Sequence, residues 1–194
     1  MMIIGLTGFA RSGKDTVADI LVRDYGFKRL AFADKLKELA EELNPVLDTK
    51  NGTIRLQDVL YASGHLDWEH AKTVPAVRRY LQDLGTMCRQ VIGEDVWVNA
   101  AHNSAWLPER TVFTDVRFYN ESRFIKDNHH GLIARVNRPG VGPVNDHPSE
   151  VQHIAPDFRI DNSGSINHLE KEVERLVSFY EETDIHNLDR EVFV

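Results

Sequence analysis

Residues 8–16 read Gly8-Phe9-Ala10-Arg11-Ser12-Gly13-Lys14-Asp15-Thr16. Two glycines five apart, with a lysine directly after the second, match the phosphate-binding loop G-x-x-x-x-G-K-[ST] at every position but the last. The flanks agree with the motif. Met2-Ile3-Ile4-Gly5-Leu6 is a short apolar run of the kind that forms a buried strand. After the loop, Val17, Ala18, Ile20 and Leu21 recur on one face of a helix that stops near Gly26. Glycines let consecutive N–H groups turn inward around an anion. The helix N-terminus adds partial positive charge at the same place, and Lys14 supplies a point charge to the β- and γ-phosphates. Asp15 stands where the pattern has a magnesium-binding hydroxyl. A carboxylate is a hard oxygen ligand, so Asp15 could hold Mg²⁺ directly or through water, or contact another group while Thr16 meets a phosphate.

The chain has 194 residues, 42% of them hydrophobic, which suits one domain with a proper core. A net charge of −7 argues against nucleic acid as a partner, because such partners call for a basic field. Small anions remain compatible with local arginines. Cys88 is the single cysteine, so neither an intrachain disulfide nor a cysteine zinc cluster is expected. Met1-Met2-Ile3-Ile4-Gly5 lacks the basic and long apolar regions of a signal peptide, and no apolar stretch approaches the ~20 residues that span a bilayer. The expectation is a cytoplasmic protein without a membrane partner.

Strand and helix patterns alternate. Phe27–Ala33 reads as a strand, and Asp34 as the N-cap of a helix from Lys35 to Leu43 that Asn44-Pro45 stops. Residues 45–75 are irregular in pattern, with turns at Asn51-Gly52 and Ser63-Gly64 and a short helix around Ile54–Leu60. A long helix follows Pro75, another spans Val96–Trp106, a strand covers Thr111–Thr114, and Glu121–Asp127 looks helical. Leu132–Val136 and Phe158–Ile160 read as strands either side of a Pro/Gly/His-rich loop. Ile166–Tyr180 is a closing helix whose apolar stripe could serve a homodimer face or the core, and residues 181–194 read as a loose acidic tail. This alternation predicts an α/β fold with a central parallel sheet flanked by helices. Ligands of such sheets sit beyond the carboxyl ends of the strands.

Asp115 ends the Thr111–Thr114 strand, where an acid can orient a metal or accept a proton, and Arg117 two residues on can fork onto phosphate. On the helix after Pro75, Arg79, Gln82 and Thr86 share a face and Arg89 continues it. That face fits a phosphate and a base edge, or plain solvent. Gly85 costs a helix about 1 kcal/mol, which close approach of a ligand or another helix would explain. Arg135 and Arg138 bracket the start of the Pro/Gly loop, as arginines on a closing lid would. The histidines, among them His129-His130 and His147, show no metal-site spacing.

Taken together the chain resembles the deoxynucleoside monophosphate kinases of tailed bacteriophages. The resemblance rests on Gly8–Thr16; Phe32-Ala33-Asp34-Lys35-Leu36-Lys37; Leu81-Gln82-Asp83-Leu84-Gly85-Thr86; Asp95-Val96-Trp97-Val98; Asp115-Val116-Arg117-Phe118 with Asn120-Glu121; His147-Pro148-Ser149-Glu150; and Asp161-Asn162-Ser163-Gly164. The last piece is also similar to dephospho-coenzyme A kinase. The resemblance implies a single P-loop kinase domain over 1–194, with a helical substrate-binding region at about 34–106 and a lid at about 135–156. It implies transfer of the ATP γ-phosphoryl group to a deoxynucleoside monophosphate, with Mg²⁺, in the host cytoplasm if the chain is phage-encoded. Gly8, Arg11, Ser12, Gly13, Lys14, Asp15 and Thr16 would bind the ATP phosphates and Asn162 would lie near adenine. Lys35, Arg79, Gln82, Thr86, Arg89, Trp97 and Arg135 would hold the acceptor, and Lys14, Asp115, Arg117 and Arg138 would serve catalysis. The alternatives are a kinase of dephospho-coenzyme A or another small acceptor, and a non-catalytic nucleotide switch.

Overall fold

The computed structural model of the chain describes residues 1–104, 107–143, 147 and 154–191, and only the backbone of residues 104, 128 and 184–191. The fold is mixed α/β, and its contacts divide it into two compact units, Met1–Ala31 with Ala105–Val194 and Phe32–Ser104.

The first unit is built on a five-stranded sheet in the order β2-β5-β1-β6-β7. Its strands are β1 (Met2–Thr7), β2 (Lys28–Leu30), β5 (Arg110–Phe113), β6 (Leu132–Asn137) and β7 (Phe158–Asp161). Every pairing is parallel: Ile4 lies opposite Val112 on one side and Leu132 on the other, and Arg135 opposite Thr7 and Arg159. Alternation along β1 decides what covers each face. Ile4 and Leu6 join Val17, Ala18, Ile20 and Leu21 of α1 (Lys14–Tyr25) and Leu169, Val173, Leu176 and Val177 of α8 (Ile166–Glu191) in one core. A Cβ on Gly5 would instead meet Ile125 of α7 (Tyr119–His129), Ile133 and Val116, so α7 covers the opposite face. Each large aliphatic chain buried here contributes roughly 1.5–3 kcal/mol. The apolar stripe of α8 is thus core. The helix also runs past the expected end at Tyr180 to Glu191. No glycine or proline interrupts residues 166–191, so the acidic stretch that reads as a loose tail continues the helix as far as Glu191.

The second unit holds α2 (Ala33–Leu43), the hairpin β3 (Val46–Thr49) and β4 (Gly52–Arg55), α3 (Leu56–Leu60), α4 (Trp68–Ala71), α5 (Pro75–Val91) and α6 (Val96–Ser104). Its core gathers Ala40, Leu47, Leu56, Val59, Leu60, Ala71, Ala76 and Val77. The hairpin corrects the irregular reading of 45–75. Thr49 pairs with Gly52 across Lys50-Asn51, a tight connection that Asn-Gly signals. Asp34 lies in the first turn of α2 rather than at its cap, which is Phe32. The expected end of α6 at Trp106 lies outside the described residues. Among those described, no helix is long and apolar enough to cross a membrane.

Gly131 directly precedes β6, where a Cβ would stand 2.6 Å from the Ile3 carbonyl oxygen and 3.0 Å from that of Ile125. Backbone cannot step aside as a side chain can, so Gly131→Ala should lower stability by about 1–3 kcal/mol. A urea midpoint within error of the parent would show that the approach of α7 to β1 is looser than described.

Candidate functional site

Parallel strands end at one edge of their sheet, and that edge collects the loops of the first unit. β1 delivers Gly8–Gly13, β5 delivers Asp115–Phe118, β6 delivers Arg138 and β7 delivers Asn162. The phosphate loop turns through three left-handed residues, Gly8 (φ 143°), Arg11 (φ 67°) and Gly13 (φ 102°). The glycines are needed there for space as well as for φ. A Cβ on Gly8 would stand 2.7 Å from the Val136 carbonyl oxygen, and one on Gly13 would collide with the Asn162 amide. Arg11 takes the same region without glycine's freedom, a departure that concentrates at functional loops.

Lys14 opens α1 and folds back over the loop, its Nζ donating to the carbonyl oxygens of Gly8 and Phe9 at 2.8 Å each. Ser12 is buried, and its hydroxyl has no hydrogen-bond partner among the described residues. An unanswered buried hydroxyl costs about 1–3 kcal/mol. Asn162 donates its side-chain amide to the Ser12 carbonyl oxygen at 2.8 Å, so the sequence-predicted adenine contact lies against the loop itself. The turn bearing it is braced by Asp161, whose carboxylate accepts from the Ser163 N–H at 3.0 Å and from its hydroxyl at 2.8 Å. Those bonds, with help from His168, hold the Asp161 carboxyl below its usual range. The brace therefore persists at neutral pH and weakens only as pH falls through that depressed folded value.

Asp15 and Thr16 are exposed on the first turn of α1. The Asp15 carboxylate is ion-paired with the Arg29 guanidinium, which also reaches Asp19 at 3.5 Å. Among the described residues no three His, Cys, Asp or Glu side chains group as a metal site. The Asp15 carboxylate is thus engaged by an arginine in this structure, the other-group contact that the sequence left open beside a magnesium role.

Asp115 is half-buried, and its neighbours are tied down: the Thr114 N–H donates to the Leu30 carbonyl oxygen and the Val116 N–H to that of Leu6, each at 3.0 Å. This holds the acid beside the end of β1. Arg117 is exposed, with its N–H donating at 2.7 Å to the Glu121 carboxylate, which also accepts from Phe118 at 3.0 Å. Glu121, buried at the start of α7, is the residue that fixes this loop. Its place three residues past the N-cap Phe118 lets its carboxylate reach back to the cap N–H. Arg135 corrects the lid assignment. It lies within β6, half-buried, and donates to the Ile154 carbonyl oxygen. Burial, then the neighbouring Arg159, pull its guanidinium below the ordinary value. Arg138 is exposed just beyond β6. Of the expected lid, residues 144–146 and 148–153 lie outside the described residues, and so does most of His147–Glu150.

In the second unit α5 carries Arg79, Gln82, Thr86 and Arg89 at helical spacing. Arg79 is exposed, Gln82 and Thr86 are half-buried, and Arg89 donates to the Glu94 carbonyl oxygen at 2.8 Å. Lys35 on α2 pairs with Glu38 at 2.5 Å. Trp97, named above among the acceptor contacts, is packed inside. It is 6% exposed, and its indole N–H donates to the Gly85 carbonyl oxygen at 3.1 Å. Gly85 is explained by a neighbouring helix: a Cβ there would lie 3.3 Å from Leu36 of α2.

No family model matches the chain. It is similar to a protein of Acanthamoeba polyphaga mimivirus named "Putative deoxynucleotide monophosphate kinase", 29% identical over 173 residues that cover 78% of this chain and 82% of that one. Similar solved structures include TT1252 from Thermus thermophilus (TM-score 0.48, 20% identity, 91% of this chain and 96% of that). Shikimate kinase from Aquifex aeolicus (0.44, 12%, 94% and 98%) and dephospho-CoA kinase from Campylobacter jejuni (0.42, 16%, 95% and 100%) are further examples.

The Trp97–Gly85 bond predicts a graded response. Trp97→Phe should cost about 1 kcal/mol for the lost hydrogen bond, and Trp97→Ala about 3–5 kcal/mol for the emptied volume. A urea midpoint for Trp97→Phe within error of the parent's would contradict the bond's part in seating α6 on α5.

Proposed function

We propose that the chain transfers the γ-phosphoryl group of ATP to a deoxynucleoside 5′-monophosphate, giving ADP and the diphosphate. The observation that carries the reading is the phosphate loop at the end of the central strand, with left-handed backbone at Gly8, Arg11 and Gly13 and Lys14 at the helix start. The resemblance to phage kinases and the name of the mimiviral relative support a deoxynucleotide as acceptor.

In this reading Gly8–Thr16 cradle the ATP phosphates through loop N–H groups and the α1 N-terminus. Lys14 leaves the carbonyls of Gly8 and Phe9 for the phosphates, and the Ser12 hydroxyl gains a phosphate oxygen as partner. Lys35, Arg79, Gln82, Thr86 and Arg89 hold the acceptor. Its phosphate oxygen forms a bond to the γ-phosphorus while the bond from that phosphorus to the ADP oxygen breaks, the two oxygens being in line. Asp115, Arg117 and Arg138 stabilise and orient the charge that moves. Catalysis is then chiefly alignment and charge neutralisation, with water excluded. Magnesium, which nucleotide phosphates bind as oxygen ligands, would enter with ATP rather than on Asp15.

Lys14→Ala should lower turnover at least about 100-fold while its circular dichroism and melting temperature stay near the parent's. Full turnover in the folded variant would remove the lysine from the mechanism. Arg79→Ala should raise the KM for the deoxynucleotide about tenfold, as loss of a charge-assisted bond does, and leave that for ATP nearly unchanged. An equal loss for both nucleotides would displace the acceptor from this face.

A further inference from the structure

Asn162 is held from its own side before it touches the loop. Its N–H donates at 2.8 Å to the Asn137 carbonyl oxygen at the end of β6. The preceding N–H, of Asp161, donates at 3.2 Å to the carboxylate of Glu172, which is 6% exposed on α8. The carboxylate of Asp161 closes the turn onto Ser163. From this fixed turn the Asn162 Nδ2 reaches the Ser12 carbonyl oxygen at 2.8 Å and fills the space that a Cβ on Gly13 would take.

The consequence follows from peptide geometry. The Ser12–Gly13 peptide is a planar trans unit, so its carbonyl and its N–H point in opposite directions. Anchoring the Ser12 oxygen to Asn162 aims the Gly13 N–H away from Asn162. Glycine at φ 102° has little preference of its own that would keep this peptide from flipping. A flipped peptide would turn a carbonyl, instead of an N–H, toward a bound anion.

We propose that Asn162 is a positioning residue for the phosphate loop, locking the Ser12–Gly13 peptide so that the Gly13 N–H faces a polyphosphate, rather than a reader of the adenine ring. This rests on the nucleotide-binding reading of the loop. Asn162 then acts on every ligand that carries the phosphates, whatever its base.

The full chain is titrated calorimetrically with ATP, GTP and inorganic tripolyphosphate, as wild type, Asn162→Ala and Asn162→Asp. The Gly13 amide resonance is followed with tripolyphosphate. Asn162→Ala should bind all three about five- to tenfold more weakly, the loss expected for one hydrogen bond. Asn162→Asp keeps the size that fits against Gly13 but sets a carboxylate against the Ser12 oxygen, and it should lose more. The Gly13 resonance should shift with tripolyphosphate in the wild type and stay put in Asn162→Ala, with the rest of the spectrum preserved. A loss confined to ATP would overturn the proposal in favour of an adenine contact, and unchanged binding in Asn162→Asp would also overturn it. Failure of the wild type to bind ATP or tripolyphosphate is a separate result, which would sink the phosphate-loop reading itself.

Discussion

The tightness of the turn after Thr7 governs the edge of the sheet that carries the candidate site. The Val136 carbonyl oxygen and the Ser12 hydroxyl both press on Gly8, leaving no room for a Cβ. The backbone can double back so closely only by passing through left-handed angles at Gly8, Arg11 and Gly13. That turn sets where α1 starts, and α1 then buries Val17, Ala18, Ile20 and Leu21 against the sheet. A wider turn would displace the helix N-terminus, the lysine that opens it and the core beneath it together. Core packing and anion-binding geometry therefore depend on the same few atoms.

Around the loop the polar groups fall into two kinds. Asn162, Glu121 and Asp161 hold backbone and are themselves held. Lys14 contacts loop carbonyls, and Arg11, Arg117 and Arg138 stand exposed. A site for phosphoryl transfer benefits from this separation, because a rigid frame fixes donor positions in advance while the long cations adjust to the moving charge. Arg135, half-buried on the Ile154 carbonyl, belongs with the frame.

The sequence carried the parallel α/β class, the loop and most element positions, because short apolar or β-prone runs mark β1 and β5 and the 3.6-residue period survives in α1, α5 and α8. It was silent where contacts distant in the chain decide. Ser12 and Asn162 meet across 150 positions, and no local pattern announces such a bond. Arg135 falls in the expected strand Leu132–Val136 yet was also given to the lid because the Pro/Gly run begins just after it, whereas ladder pairing with Thr7 and Arg159 keeps it in β6, which runs to Asn137. The motif puts a metal-binding group at the position of Asp15, which left its role open, and the arginine that engages its carboxylate in this structure comes from β2. The hairpin at 46–55 was readable in principle from Asn51-Gly52, but its short strands alternate too weakly to stand out from a loop.

The most direct test is a coupled ADP-release assay on the wild-type chain with ATP and Mg²⁺, using dAMP, dGMP, dCMP, dTMP, their ribose counterparts and dephospho-coenzyme A as acceptors. The account predicts turnover with deoxynucleoside monophosphates and little with the others. Activity on dephospho-coenzyme A alone, or tight ATP binding with no turnover on any acceptor, would contradict it.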